Sequence, residues 1–304
     1  MGDPYILMLV ALAVLAIVDL VVGVSNDAVN FLNSAIGSKA ISVRNIMIIA
    51  SVGVFFGAVT SSGMMEVARK GIFNPDMFMF QDIMFIFMAV MITDILLLDI
   101  FNSLGMPTST TVSIVFELLG AAVCISLLKI SANDAQSFND LWNYINHETA
   151  TKIIFGILLS VVVAFSVGAI VQFASRMIYS FNFEKRATYI SALFGGFAIT
   201  AITYFIIIKG MKGTPFYKDI RYLIEGNTIL IIAGSFFTWS LISQVLIQFL
   251  KINILKLIIG IGTFSLAMAF SGNDLVNFVG VPIAAWNSYE AWSVSGVSAD
   301  AFSM

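Results

Sequence analysis

Long apolar runs recur along the whole chain, and they constrain its fold more than any other feature. A run of about 20 apolar residues is long enough, as a helix, to cross a hydrocarbon core of about 30 Å. The chain is 59% hydrophobic and 11% charged, with a mean hydropathy of +0.98, far outside the range of soluble globular domains. We identify seven or eight such runs, at residues 5–24, 45–65, 78–101, 112–129, 152–178, 188–208, 228–250 and 253–271.

The pattern of these runs predicts the fold class. The runs lack the strict alternation of apolar and polar residues that a membrane β-barrel shows. A helix is the other structure in which the backbone N–H and C=O groups are hydrogen-bonded within the lipid. We therefore expect an all-α, polytopic transmembrane helical bundle. Its partner is the lipid bilayer of the plasma membrane, which is the cytoplasmic membrane if the source is bacterial.

Charge and histidine content exclude several function classes. The net charge is −3 and no Lys/Arg block exceeds two residues, so a nucleic-acid partner is not expected. His147 is the only histidine, and it cannot by itself supply a histidine-rich metal site or a Ser/His/Asp triad. We predict that the protein is not an enzyme and uses no organic cofactor.

A short polar motif occurs twice. Residues 26–31 read Asn-Asp-Ala-Val-Asn-Phe, and residues 273–278 read Asn-Asp-Leu-Val-Asn-Phe, with five of six positions identical at an offset of 247. Chance could supply the apolar matches, but hardly two Asn-Asp-x-x-Asn patterns at membrane depth. We interpret the pair as a true duplication; the alternative is a duplication without a shared site.

The duplication predicts the organisation of the chain. An odd number of spans between the copies makes them face in opposite directions, which is the inverted-repeat plan of many secondary transporters with broken or re-entrant helices. We assign residues 1–130 to a first transport repeat, 131–250 to intervening transmembrane helices and 251–304 to an incomplete second repeat. By the same offset, partners of Glu66 and Ser109 would fall near positions 313 and 356, so we expect a C-terminally incomplete chain.

The two motifs carry side chains suited to ions. Asparagines four residues apart share one helix face, and their amide oxygens and the Asp carboxylate form a hard oxygen set for a small cation such as Na⁺. The amide N–H groups can donate to an anion. The alternative is that these residues only join helices by hydrogen bonds, although a buried Asp is costly for that purpose.

A second constellation lies at residues 104–113, Leu-Gly-Met-Pro-Thr-Ser-Thr-Thr-Val-Ser. Gly and Pro end a helix, and a run of hydroxyl residues then caps the next one. The N–H groups and the positive dipole end of such a helix attract oxyanions. An ordinary helix cap is the alternative reading.

Besides the Asp residues of the two motifs, five further carboxylates in or beside the apolar runs are candidates for function. Glu66 is close in sequence to Arg69, which favours an interfacial ion pair. Asp94 and Asp99 fall on different helix faces and form no obvious dyad. Intramembrane ionisable groups are nevertheless functional candidates. The complete set is Asp19, Glu66, Asp94, Asp99 and Glu117.

In these motifs the sequence resembles the inorganic phosphate transporter family, the PiT-type sodium- or proton-phosphate symporters. Its signature G-A-N-D-x-A-N-A-F-G-T-S-V-G-S-K-A resembles residues 23–40, and E-T-I-R-K-G-I resembles residues 66–72. The family's P-x-S-T-T-H resembles residues 107–112, with Val112 in place of His, and residues 271–278 resemble the second signature. Ser25 stands where the family has Ala.

The resemblance implies a function and site residues. It implies import of inorganic phosphate by symport with Na⁺, or with H⁺. Transport would occur by alternating access around a site shared by the two repeats, and the resemblance also implies a homodimer. Glu66 would be critical for transport. Phosphate would be bound by Ser109, Thr110, Thr111, Asp27 and Asp274, and Na⁺ by Asn26, Asp27, Asn30, Asn273, Asp274 and Asn277.

Several alternatives remain open at this stage. One is a transporter of another oxyanion, such as sulfate, or of a metal-phosphate complex. Phosphate is favoured because it keeps a proton that can donate to Asp27 or Asp274, which sulfate lacks. Another is an intramembrane enzyme using Asp94, Asp99 or Glu66, which would require two carboxylates within hydrogen-bonding reach. A channel or receptor is the third.

Overall fold

The computed structural model describes residues 3–60, 71–133, 135–179, 188–210 and 215–303. Within these residues the chain is helical, and its only β-structure is two isolated bridges. The helices are α1 Pro4–Ser38, α2 Val43–Thr60, α3 Phe80–Leu104, α4 Thr110–Ser131, α5 Leu141–Tyr144, α6 His147–Tyr179, α7 Thr188–Phe205, α8 Pro215–Gly226, α9 Thr228–Gln248, α10 Ile254–Asn273 and α11 Leu275–Ser293.

The helices confirm the predicted membrane bundle. Eight helices in the described residues are long and apolar enough to cross a bilayer, with α10 and α11 counted together as Ile254–Ser293. Each predicted apolar run overlaps one of them, and the last part of the second run, residues 61–65, lies outside the described residues. The protein is therefore an integral membrane protein of the all-α class.

The first Asn-Asp motif lies inside a continuous helix. We expected the first span to end near residue 24, but α1 runs from Pro4 to Ser38. No Gly or Pro occurs between Gly23 and Gly37, so nothing in this stretch interrupts the helix. At about 1.5 Å per residue α1 is about 50 Å long, well beyond one bilayer core. The second motif is different, because the helix is interrupted at Asp274, between α10 and α11.

The chain divides into two compact units, each made of segments that are separate in sequence. The first unit comprises residues 1–29, 63–159 and 273–304, and the second comprises residues 30–62 and 160–272. The first unit therefore contains both α3 and α4 together with the N-terminal part of α1 and all of α11.

The first unit is built around a core of large apolar side chains. Leu12 of α1, Met84 of α3, Leu118 of α4 and Val281 of α11 are each at most 1% exposed. The Phe80 ring stacks on the Trp292 ring with centroids 4.6 Å apart. This packing places one face of α1, α3, α4 and α11 together.

The second unit has its own helix contacts. The rings of Phe31 and Phe270 lie 5.2 Å apart, which packs the C-terminal part of α1 on α10. The Ser271 hydroxyl, which is fully buried, donates a 2.7 Å hydrogen bond to the carbonyl oxygen of Val54 in α2. A polar contact thus joins α10 to α2 within the apolar packing.

Candidate functional site

The turn between α3 and α4 has the geometry that its sequence predicts. Gly105 ends α3 with φ 67° and ψ 28°, a left-handed conformation that glycine adopts without steric cost. Ser109 is the N-cap of α4, and its hydroxyl accepts a 3.4 Å hydrogen bond from the Val112 N–H. The predicted helix start within the hydroxyl run is confirmed, and the free N–H groups of the first turn of α4 define one side of the candidate site.

Asn26 of the first motif holds this turn in place. Its amide nitrogen donates to Asn102 Oδ1 at 2.9 Å and to the Met106 carbonyl oxygen at 3.1 Å. Its amide oxygen accepts from the Thr108 N–H at 2.8 Å. Asn26 is only 5% exposed, so its three hydrogen bonds lie inside the protein. The side chain therefore fixes the approach of the hydroxyl run to α1.

Asn102 is a residue that sequence reasoning missed. Besides accepting from Asn26, it donates a 3.0 Å hydrogen bond to the Val22 carbonyl oxygen of α1. The available signal was an amide side chain at the end of an apolar span, just before the Gly-Met-Pro turn. The residues predicted from the sequence were carboxylates, hydroxyls and the asparagines of the two repeated motifs, and Asn102 belongs to none of these groups.

The second motif meets the start of α4 at Thr111. The Thr111 hydroxyl donates to Asp274 Oδ1 at 2.8 Å and accepts from Asn277 Nδ2 at 2.9 Å. The break between α10 and α11 places Asp274 as the N-cap residue of α11. Thr111 is therefore the point where the hydroxyl run and the second Asn-Asp motif make direct contact.

The two motif regions also contact each other through Gly23 and Phe278. A Cβ atom at Gly23 would lie 2.2 Å from Cζ of the Phe278 ring, far inside van der Waals contact. Phe278 is fully buried. The absence of a side chain at Gly23 is therefore what allows α11 to pack against α1 three residues before Asn26.

The remaining predicted phosphate ligands lie at or near the same turn. Thr110 is 1% exposed, and its hydroxyl has no hydrogen-bond partner among the described residues. The backbone carbonyl of Ser109 accepts from the Ser113 hydroxyl at 3.2 Å. Asp27 is 3% exposed, on α1 beside Asn26.

Other predicted residues are not gathered here. Asn30 lies in the second unit and is exposed. Glu66 falls outside the described residues, as does the side chain of Asn273. The structure therefore brings together the hydroxyl run, Asn26 and the second motif's Asp274 and Asn277.

Asp94 and Asp99 lie on different faces of α3, as their spacing in the sequence predicts. Asp99 is exposed, whereas Asp94 is fully buried, so these two do not form a dyad. Asp94 instead lies within hydrogen-bonding reach of Asp19 and of Glu117. Nothing in the sequence indicated that Asp19 and Glu117 lie close to Asp94.

The chain is similar in sequence to the phosphate transporter family and to proteins named as phosphate permeases. A model described as the phosphate transporter family matches residues 23–301 of the chain. A protein of Pyrococcus furiosus named "Putative phosphate permease" is 25% identical over 288 residues, which cover 90% of this chain and 64% of the relative. A protein of Thermococcus kodakarensis with the same description is 24% identical over 282 residues, covering 90% of this chain and 65% of the relative.

A solved structure shares the fold. It is described as the sodium-dependent phosphate transporter and superposes with a TM-score of 0.67 at 20% identity, covering 96% of this chain and 69% of that one. The chain spans less than two thirds of the length of the two archaeal relatives.

Proposed function

Because the chain belongs to the phosphate transporter family, we propose that the protein imports inorganic phosphate across the plasma membrane by symport with Na⁺. The observation that carries this proposal is the contact of Thr111 with Asp274 and Asn277 at the N-terminus of α4. It brings an anion-attracting helix end together with the carboxylate and amide of the second motif.

The start of α4 supplies the phosphate contacts in this proposal. Ser109, Thr110 and Thr111 offer hydroxyls, and the first turn of the helix offers N–H groups and the positive end of its dipole. Asn26 keeps this turn in position through its bond to the Thr108 N–H. No fixed cation is needed in this arrangement, so the phosphate can bind and still be released.

Asp27 and Asp274 give selectivity for phosphate over sulfate. Phosphate at neutral pH keeps at least one O–H group, which can donate to a carboxylate. Sulfate has no such proton and would experience like-charge repulsion. Asp274 Oδ1 accepts one hydrogen bond from Thr111, and a carboxylate oxygen can accept a second one, so the phosphate O–H can donate to this carboxylate without displacing Thr111.

Sodium travels as a second substrate. The carboxylates and amides of the two motifs, Asn26, Asp27, Asn30, Asn273, Asp274 and Asn277, are the oxygen ligands that we propose for Na⁺. The description of the solved relative as sodium-dependent supports Na⁺. A bound Na⁺ offsets the charge of the phosphate and the carboxylates, which couples the two binding events.

Glu66 and the repeat architecture belong to the same proposal. We propose that Glu66 is critical for transport, that the two motif-bearing repeats have inverted topology, and that one moves relative to the other in alternating access. The support is the repeated motif at residues 26–31 and 273–278. A homodimer is the expected assembly.

Uptake of radiolabelled phosphate into proteoliposomes containing the full-length protein tests the proposal. We expect saturable uptake that falls when external Na⁺ is replaced by choline, and that is inhibited by unlabelled phosphate and arsenate but not by sulfate. Equal inhibition by sulfate would instead support a general oxyanion transporter, and uptake without saturation would support a channel.

A substitution locates the site. Thr111→Val keeps the side-chain shape but removes both hydrogen bonds to the second motif, and we expect it to weaken phosphate affinity about tenfold, the equivalent of one or two lost hydrogen bonds. Thr151→Val makes the same chemical change at an exposed position of α6 and serves as the control. Equal affinities in the two variants would contradict the assignment of Thr111.

A further inference from the structure

Three carboxyl side chains meet inside the first unit. Asp19 comes from α1, Asp94 from α3 and Glu117 from α4, and Asp94 lies within hydrogen-bonding reach of both others. Asp19 and Asp94 are each 0% exposed. The three side chains form a chain of contacts with Asp94 in the middle, which we call the carboxyl cluster.

Among the residues that the structure describes, no basic group contacts the carboxyl cluster. None of its six carboxyl oxygens has a hydrogen-bond donor among the described residues. Lys129 is the only basic residue of α1, α3, α4 and α11, and it forms a 2.6 Å ion pair with Asp82. Even one charged Asp at the centre of a membrane helix costs about 2.5–3.5 kcal/mol on the most lenient scale. Three adjacent carboxylates therefore cannot all stay ionised without a bound cation.

The electrostatic partners of the three carboxyls are one another. The other ionisable residues on the four helices that pack together here do not belong to the cluster; they are Tyr5, Asp27, Asp82, Asp99, Cys124, Lys129, Tyr289 and Glu290. The charge of the cluster therefore depends on how many protons or cations its three carboxyl groups bind.

Protons fit this arrangement better than a metal ion. Na⁺ and Ca²⁺ need several oxygen ligands around one point. The three carboxyls are arranged in a row instead, because Asp94 contacts both Asp19 and Glu117. Three carboxyl groups in a row can instead be joined by O–H···O hydrogen bonds. The central carboxylate then accepts one bond from a protonated carboxyl group on each side.

One member of the cluster, Glu117, lines a cavity of the first unit. The cavity, of about 510 Å³, lies along α3 and α4, and its lining includes Glu117, Thr93, Val112 and Thr108. The backbone N–H of Thr108 is the group that binds Asn26. The cavity therefore runs from one member of the carboxyl cluster to the turn that Asn26 holds.

We propose that Asp19, Asp94 and Glu117 form a proton-binding site whose occupancy is coupled to transport. This inference rests on the proposed phosphate transport for its role, but not for the binding of protons. With two protons the cluster carries one negative charge, held by Asp94 between two O–H donors. Release of one proton leaves two adjacent negative charges, which is favourable only when the site gains water or a cation. Proton release is thus linked to a change of the protein's state.

Infrared difference spectroscopy tests the proton site directly. Purified full-length protein at neutral pH should show absorption from protonated carboxyl groups that shifts in D₂O. We expect Glu117→Gln and Asp19→Asn each to remove part of this band, and Asp99→Asn, an exposed carboxyl on the same helix as Asp94, to leave it unchanged. A band that none of the cluster variants alters would overturn the proposal.

Coupling is measured by phosphate uptake into proteoliposomes at fixed Na⁺ with an imposed pH gradient. An acidic exterior should stimulate uptake by the unaltered protein and by Asp99→Asn, and Glu117→Gln should lose this response. Titration of phosphate itself affects all variants equally. An unchanged response in Glu117→Gln would overturn the coupling. If the unaltered protein takes up no phosphate at all, the proposed function fails, whereas the infrared band still decides the proton site.

Discussion

Replacing Asn26 by Ala should destabilise the first unit by about 2–3 kcal/mol. The substitution removes the three hydrogen bonds that the side chain makes to Asn102, Met106 and Thr108. Hydrogen bonds between membrane helices contribute about 0.6 kcal/mol on average, and typical intramolecular ones about 1 kcal/mol. Three such bonds therefore give about 2–3 kcal/mol, and the 5% exposure of Asn26 leaves little water to replace them.

The loss is measured by reversible unfolding of the full-length protein in mixed micelles. Asn33→Ala is the matched control, because Asn33 lies two turns further along α1 and is exposed, so its removal should change stability by less than about 0.5 kcal/mol. Equal stability of Asn26→Ala and Asn33→Ala would show that the Asn26 side chain does not stabilise the turn between α3 and α4.

Three further outcomes are expected. Gly23→Ala should destabilise the protein by about 1–3 kcal/mol, because the new methyl group overpacks against Phe278. Gly37→Ala is the control, since nothing lies within 4 Å of its new methyl group and no loss of stability is expected. Equal unfolding midpoints for the two variants would contradict the close packing at Gly23. Ser271→Ala removes the bond to Val54 and should cost about 0.6 kcal/mol in the same assay, so a loss above about 2 kcal/mol would show that more depends on it. Removing Na⁺ should weaken equilibrium phosphate binding to the purified protein, and unchanged affinity would argue against sodium coupling.

The number and position of the membrane helices could be predicted from the sequence. Apolar runs specify spans because lipid accepts few other structures, and the Gly-Met-Pro turn and the Ser109 cap are encoded by residues next to one another. The family could also be identified, because its signatures are local. These features depend on neighbouring residues, which a sequence displays directly.

The continuity of α1 was harder to predict. We expected the first span to end near residue 24, in a bundle with broken or re-entrant helices. Asn26 instead uses its side chain to bind the turn at Met106 and Thr108, and its helical backbone bonds are kept. Whether α1 is continuous or interrupted at Asn26 therefore depends on the position of the turn between α3 and α4, which is far from Asn26 in the sequence.

The carboxyl cluster could not be predicted for a related reason. Asp19, Asp94 and Glu117 are far apart in sequence, and their contact depends on how α1, α3 and α4 are rotated about their axes. The apolar spans have weak amphipathic patterns, since lipid and core are both apolar, so the inward face cannot be read from periodicity.

In the proposed transport mechanism, the carboxylates of the two Asn-Asp motifs act together. The most direct test is phosphate uptake by proteoliposomes containing the Asp27→Asn and Asp274→Asn double variant of the full-length protein, at matched protein content. We predict that Na⁺-dependent uptake is lost. Uptake indistinguishable from that of the unaltered protein would contradict the account.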